Sequence, residues 1–229
     1  MNMRAADLLD SAMDMLRPGR LNDHRHAGER RMPNIFWHKG QVTPNCRQGL
    51  FGHRPATVWL TGLSGAGKST LAYELEKTLL AKGHACFVLD GDNLRHHLNY
   101  DLDFSAQSRR ENIRRAAEVA RLMNEAGLIV ITAFISPYIE DRAMARAIVG
   151  EGRFVEVYVS TALDTCEARD PKGLYAKARA GTIPEFTGIS APYEAPLKPD
   201  IQLDTSETPL MESTDLLFSH LAHLVFEEA

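Results

Sequence analysis

Thr57-Val58-Trp59-Leu60 runs directly into Thr61-Gly62-Leu63-Ser64-Gly65-Ala66-Gly67-Lys68-Ser69-Thr70, and this stretch decides the fold. Its first four residues are β-branched, aromatic or aliphatic and read as a strand. Residues 62–69 fit the spacing G-x-x-x-x-G-K-[ST], a glycine-rich turn that opens a helix. Such a turn lets backbone N–H groups curl around phosphate oxygens, and the helix N-terminus adds positive potential. Lys68 is placed to reach the β and γ oxygens of a triphosphate, and the Ser69 hydroxyl to bind Mg²⁺. A merely flexible strand-to-helix turn would not call for Lys followed by Ser. Gly62, Leu63, Ser64, Gly65, Ala66, Gly67, Lys68, Ser69 and Thr70 are therefore the expected ATP cradle.

Working outward, short apolar runs alternate with segments of helical period, the pattern of a parallel sheet covered by helices. A helix is expected from Lys68 to Ala81, with Leu71, Leu75 and Leu79 on one face and Gly83 as its stop. Phe87 to Leu89 reads as the second strand. Arg109 to Ala126 reads as a helix with Ile113, Ala117, Ala120 and Met123 inward and Arg110, Arg114, Arg115 and Arg121 largely outward. Leu128 to Phe134 is apolar without alternation, as a central strand buried on both faces must be. Arg142 to Val149 is the next helix, Phe154 to Val159 the fourth strand, Ala162 to Arg169 a short helix, Ile201 to Leu203 the fifth strand, and Leu210 to Phe226 a closing helix. The fold expected is α/β: three layers, α/β/α, around a mostly five-stranded parallel sheet. Between Asp170 and Pro199 seven Pro and Gly residues punctuate the chain, which reads as a mobile lid or binding loop over about 170–199.

The composition narrows the class. The chain has 229 residues and a formal net charge of −4, without the basic excess that a nucleic-acid partner would need. Cys46, Cys86 and Cys166 form no CxxC pair, so neither a disulfide framework nor a zinc site is signalled. Leu128 to Ile135 is the longest apolar stretch, far short of the ~18 residues of a membrane span. No secretory h-region precedes the first strand, and a cytoplasmic protein is expected. Residues 1–31 mix acids and bases and read as an N-terminal extension, leaving 32–229 as one domain.

Phosphate binding alone leaves switch GTPases, ATPases and kinases open. A GTPase should carry an N-K-x-D segment after a later strand, and this chain has none. Asp170-Pro171-Lys172-Gly173 matches D-x-x-G, but it follows the fourth strand rather than the strand beside the phosphate turn. The Leu128 to Phe134 strand does not end in the Asp that often holds Mg²⁺. Asp90 and Asp92, at the carboxyl end of the second strand, fill that gap, the bland reading being a solvated Asx turn. Asp90 could bind Mg²⁺ through water, and Asp92 could accept or orient the proton of an attacking hydroxyl. Arg95, Phe104, Arg109 and Asn112 follow. Guanidinium forks and a phenyl face suit a phosphorylated acceptor carrying an aromatic base.

With those residues in place the chain resembles the adenylylsulfate kinase family in its bacterial form. The likeness runs from about Asn34 to the C-terminus through Thr61 to Thr70, Asp90 to His96, Arg109 with Glu111 to Arg115, Ala133 to Tyr138, Cys166 to Tyr175, and Phe186 to Ile189. The resemblance implies transfer of the ATP γ-phosphoryl to the 3′-hydroxyl of adenylyl sulfate with Mg²⁺. It implies an acceptor adenine sandwiched between Phe104 and Phe186, with Arg95, Arg109 and Asn112 holding the phosphosulfate and ribose, and Ile135 and Leu174 among the acceptor contacts. It also implies Arg169 stacked on the ATP adenine, Lys172 neutralising charge at transfer, a homodimer, and a functional link to ATP sulfurylase. Ser136 matches a serine assigned in the family as a phosphorylated intermediate, although direct in-line transfer needs none. Its hydroxyl is expected to contact substrate. His97 and Asp103 stand where the family usually has glycine, and His97 is expected to shift the loop that carries Arg95. A kinase of another nucleotide or sugar, and a nucleotide-binding module regulating a sulfurylase, are the alternatives that remain open.

Overall fold

The computed structural model describes residues 40–226, together with 34, 36 and 38. The extension expected over residues 1–31 lies outside them. The chain forms two compact units, residues 1–50 and 51–229. Within the first, helix α1 begins at Pro44 (Pro44–Phe51). Thr43 precedes it and accepts a hydrogen bond from the Cys46 amide, a start signal of N-cap hydroxyl followed by proline.

The second unit holds five parallel strands in the order β2-β3-β1-β4-β5. They are β1 (Thr57–Thr61), β2 (Cys86–Asp90), β3 (Ile129–Ala133), β4 (Phe154–Val159) and β5 (Ile201–Leu203). The helices are α2 (Lys68–Ala81), α3 (Gly91–His96), α4 (Ala106–Glu125), α5 (Ile139–Val149), α6 (Leu163–Arg169), α7 (Leu174–Arg179) and α8 (Leu210–Val225). Every residue of β1 and β3 is buried, as a strand covered on both faces requires. Alternate residues part to opposite sides. Val58, Leu60, Ile129 and Ile131 join Leu71, Leu75, Leu79, Leu217 and Leu221 in one core. Trp59 and Val130 join Ile113, Ala117, Ala120, Ala145 and Phe154 in the other. Each Leu of the α2 stripe is fully buried, and burying one contributes about 1.5–3 kcal/mol. The three-layer expectation holds.

Four expectations change. Helix α4 starts three residues early because the Ser105 hydroxyl accepts the Ser108 amide as an N-cap. Helix α5 starts at Ile139, where Glu194 accepts its amide at 2.8 Å, a partner 55 residues away that no local pattern signals. The Asx turn at Asp90 is not solvated: Asp90 is buried, and its Oδ1 accepts the Asp92 and Asn93 amides and caps α3. The lid carries α7, capped by Asp170, which accepts the amides of Tyr175 and Ala176 at 3.1 and 3.0 Å. That cap is the work of the D-x-x-G match. On α4, Ile113, Ala117 and Ala120 face inward as expected, Met123 is only partly buried, and Asn112, Ala116 and Asn124 are buried as well. Arg114 and Arg115 turn outward and pair with Glu111 at 2.7 and 2.9 Å.

Asn124 ties the foot of the sheet. Its Oδ1 accepts the Thr57 hydroxyl at 2.8 Å, and its Nδ2 donates to the carbonyls of Ala56 and Leu128 at 3.0 and 3.1 Å. Asn124→Ala is expected to lose about 2–3 kcal/mol, since it leaves a cavity and a buried hydroxyl without its acceptor. A urea midpoint lowered at unchanged slope is the predicted reading; an unmoved midpoint would refute it.

Candidate active site

The turn after β1 is shaped by contacts that only glycine permits. A Cβ on Gly62 would lie 2.4 Å from the Val159 carbonyl oxygen, and one on Gly65, at φ +75°, 2.9 Å from the Cys166 carbonyl oxygen. Lys68 folds back over the turn and donates to the Gly62 and Leu63 carbonyls at 2.9 and 2.6 Å. Burial pushes its ammonium down to about 8, partly offset by the acidic neighbours Asp90 and Asp92. The Ser69 hydroxyl donates to Asp90 Oδ2 at 2.7 Å. A hydroxyl and a carboxylate thus sit side by side at the carboxyl ends of the strands. The chain switches direction there, passing from β1 to β2 on one side and from β3 to β4 on the other.

A cavity of about 1060 Å³ joins this turn to the segment after β2 and to the lid. Ser64, Gly65, Gly67, Lys68, Ser69, Thr70 and Arg169 line one part. Asp90, Asp92, Arg95, Phe104, Arg109, Asn112, Ile135, Ser136, Lys172, Leu174 and Phe186 are among the residues that line the rest, with Thr187 and Thr205 beside them. Three expected cradle residues do not line it. Gly62 acts through its backbone, Leu63 packs against the core, and the Ala66 side chain is fully buried while its carbonyl accepts the Thr205 hydroxyl at 2.9 Å.

Asp92 forms an ion pair with Lys172, joining the segment after β2 to the lid. Both side chains are more than half exposed, so the pair marks position more than it supplies stability. Arg95 donates to the Leu102 and Asp103 carbonyls at 3.1 and 3.0 Å, and its guanidinium lies 4.5 Å from the Phe104 ring centre. Burial, reinforced by the charge of Arg109, pushes its pKa down. Phe104 is exposed, whereas Phe186 is buried, with its ring edge-on to Tyr175 at 5.0 Å. The Asn112 Oδ1 accepts Asn99 Nδ2 at 2.9 Å. Neither former glycine position needs a glycine. His97 has φ −131° and closes α3 with its amide on the Leu94 carbonyl. Asp103 has no positive φ and accepts the Ser105 amide and hydroxyl at 3.0 and 2.6 Å. Arg95 stays in the cavity wall.

Ser136 lines the cavity with its hydroxyl already engaged. It is nearly fully buried at φ +38°, and its hydroxyl accepts the indole N–H of Trp59 at 3.2 Å. Its carbonyl is gripped by Arg142 at 2.7 Å. Trp59 and Arg142 are therefore site supports that sequence reading left out. So are Thr205, whose hydroxyl and carbonyl hold Arg169 at 2.8 and 3.0 Å, and Tyr175, whose hydroxyl donates to the Ser64 carbonyl at 2.9 Å. Only the D-x-x-G cap hinted at the last of these.

A phosphate-cradling turn that shares one cavity with paired carboxylates, arginines and phenyl rings defines a P-loop phosphotransferase for a small acceptor. The Adenylylsulphate kinase family matches residues 54–204. An adenylyl-sulfate kinase of Vibrio cholerae is 58% identical over 179 residues, 78% of this chain and 83% of that protein. One of Shewanella amazonensis is 55% identical over 190 residues, 83% of this chain and 96% of that protein. Among solved structures, the APS kinase of Mycobacterium tuberculosis in complex with AMPPNP and APS aligns with a TM-score of 0.71 and 49% identity, covering 73% of this chain and 98% of that one. The chain belongs to the adenylylsulphate kinase family of enzymes. Among the described residues, no helix is long and apolar enough to cross a membrane.

The buried ammonium makes a pH prediction. Burial pushes the Lys68 ammonium down to about 8 in the folded chain from the ordinary 10.5 of an unfolded one, so between those values the unfolded chain holds a proton that the native one has lost. Stability therefore rises with pH through that window. Relative to Lys68→Met, the wild type is expected to gain urea resistance from pH 8 to about pH 10; parallel pH dependences of the two proteins would overturn the assignment.

Proposed function

We propose that this chain phosphorylates adenylyl sulfate at its 3′-hydroxyl, taking the γ-phosphoryl of ATP and releasing ADP and 3′-phosphoadenylyl sulfate. One observation carries the reading: the phosphate turn and the Phe104–Arg95–Arg109 wall open into a single cavity, with Asp92 and Lys172 lining the same space. The new bond joins the acceptor oxygen to the γ-phosphorus as the β–γ bridging P–O bond breaks. The hydroxyl proton leaves to Asp92 or to water beside it.

Each residue has a role in that reading. The amides of residues 62–70 and the Lys68 ammonium bind the triphosphate, and Arg169, held by Thr205, stacks on the donor adenine. Asp92 orients the attacking hydroxyl. Lys172, already beside Asp92, meets the charge that develops in transfer. Phe104 and Phe186 flank the acceptor adenine. Arg95, Arg109 and Asn112 meet its oxyanions and ribose, with Ile135 and Leu174 as apolar contacts. Ser136 helps shape the floor as a substrate contact, and no covalent intermediate on it is invoked. Ser69 and Asp90 offer adjacent hard oxygen donors, which fit Mg²⁺ completed by phosphates and water. Bound there, the ion would supply charge neutralisation for the phosphates. Residues 32–229 would act as the kinase domain, with a lid over about 170–199 and residues 1–31 as an extension. A cytoplasmic homodimer working beside ATP sulfurylase completes the proposal, supported by the family resemblance.

The purified protein with Mg²⁺, ATP and adenylyl sulfate is expected to yield ADP and 3′-phosphoadenylyl sulfate one to one. Lys68→Ala and Asp92→Asn should each lower kcat by at least about 10²-fold. Phe104→Ala should raise KM for adenylyl sulfate and leave that for ATP nearly unchanged. Transfer to AMP or a sugar, with none to adenylyl sulfate, would reject the assignment.

A further inference from the structure

The Arg109 side chain does more than face the cavity. Its Nε donates to the Phe104 carbonyl at 2.7 Å, one terminal nitrogen donates to the Thr187 hydroxyl at 2.7 Å, and the other to the Glu185 carbonyl at 2.5 Å. One guanidinium thus binds the backbone of one phenylalanine and both residues flanking the other. The segment it holds is closed on itself. The Phe186 carbonyl accepts the amides of Ile189, Ser190 and Ala191 at 3.0–3.1 Å, and the Phe186 amide donates to the Ser190 hydroxyl at 2.9 Å. Arg109 and this turn therefore form one hydrogen-bonded unit. Glu185 adopts φ +53°, a left-handed conformation that a non-glycine residue keeps only when its surroundings hold it.

Thr187 is 2% exposed, so its hydroxyl is withheld from bulk solvent and committed to this contact. A guanidinium carries five N–H groups, and three are used here, which leaves two for an anion in the cavity. The same group can then grip an acceptor oxyanion and the lid together.

We propose that Thr187, itself on the cavity wall, is a positioning residue: through Arg109 it fixes the spacing between the Phe104 and Phe186 rings and so sets how well an aromatic acceptor base is held. The inference rests on the reading that the acceptor lies between those rings. It predicts a specific split in the kinetics. A lost hydrogen bond to a charged group in a buried setting weakens acceptor capture about tenfold and leaves the phosphate turn untouched.

Thr187→Val keeps the volume and removes the hydroxyl, and Thr187→Ser keeps the hydroxyl. Thr187→Val should raise KM for adenylyl sulfate about tenfold, with KM for ATP and kcat changed less than about twofold, and Thr187→Ser should restore the wild-type KM. Hydrogen exchange on the ligand-free proteins gives a readout free of substrate identity: amides of residues 185–191 should exchange about tenfold faster in Thr187→Val and at the wild-type rate in Thr187→Ser. An adenylyl sulfate KM and a lid exchange rate both unchanged in Thr187→Val overturn the proposal, as does a serine variant behaving like valine. A wild type inactive on adenylyl sulfate instead defeats the functional reading, and the exchange rates then decide the role of Thr187 alone. Should Thr187→Val fold poorly, Thr187→Ala is read in the same exchange measurement with the same criteria.

Discussion

The close approach of Gly62 to the Val159 carbonyl is the constraint on which the site rests. A Cβ there would sit 2.4 Å from that oxygen, so the chain can leave β1 across the end of β4 only if residue 62 lacks a side chain. That path turns Lys68 back onto the Gly62 and Leu63 carbonyls and puts Ser69 within 2.7 Å of Asp90. Everything the cavity does with phosphate follows from where this turn is forced to lie. Lys68 is held at a cost, since its ammonium is buried among carbonyls. Such stored desolvation is what an incoming polyanion relieves.

Two of the ties between the lid and the rest of the site run through its aromatic residues. Tyr175 binds the Ser64 carbonyl and packs edge-on against Phe186, so the Phe186 ring is braced against the phosphate turn itself. Arg109 fastens the residues on either side of Phe186 to the carbonyl of Phe104. The phosphate turn and the Phe104 wall are therefore both connected to the lid through aromatic and hydrogen-bonded contacts. Connections of this kind can pass a change at one half to the other, because packed cores shift between discrete arrangements rather than deform smoothly.

The floor follows the same logic. Ser136 ends the central strand region at φ +38°, fixed by Trp59 from below and by Arg142, which also binds Glu156 at 2.9 Å and the Glu194 carbonyl at 2.7 Å. A buried arginine is tolerable because these acceptors satisfy its guanidinium. Removing any one of them would leave charge or carbonyl unpaired in a dry setting. Thr205 performs the equivalent service for Arg169, accepting one donor on its hydroxyl and one on its carbonyl while the hydroxyl donates to the Ala66 carbonyl.

The amino-acid sequence by itself determined the sheet, the helix from Lys68 to Ala81 and the cradle, because glycine spacing, apolar runs and stops act locally and leave local signatures. The members of the acceptor wall were legible as residue types, and the family resemblance gave them roles. What tertiary structure alone decided are the long-range partners: Glu194 at the start of α5, Trp59 and Arg142 on Ser136, Thr205 on Arg169, and Thr187 on Arg109. Each joins residues between 6 and 78 positions apart, and all but one pair lie more than 30 apart. A hydrogen bond across such a distance depends on how strands and loops are brought side by side, which neither periodicity nor turn chemistry encodes.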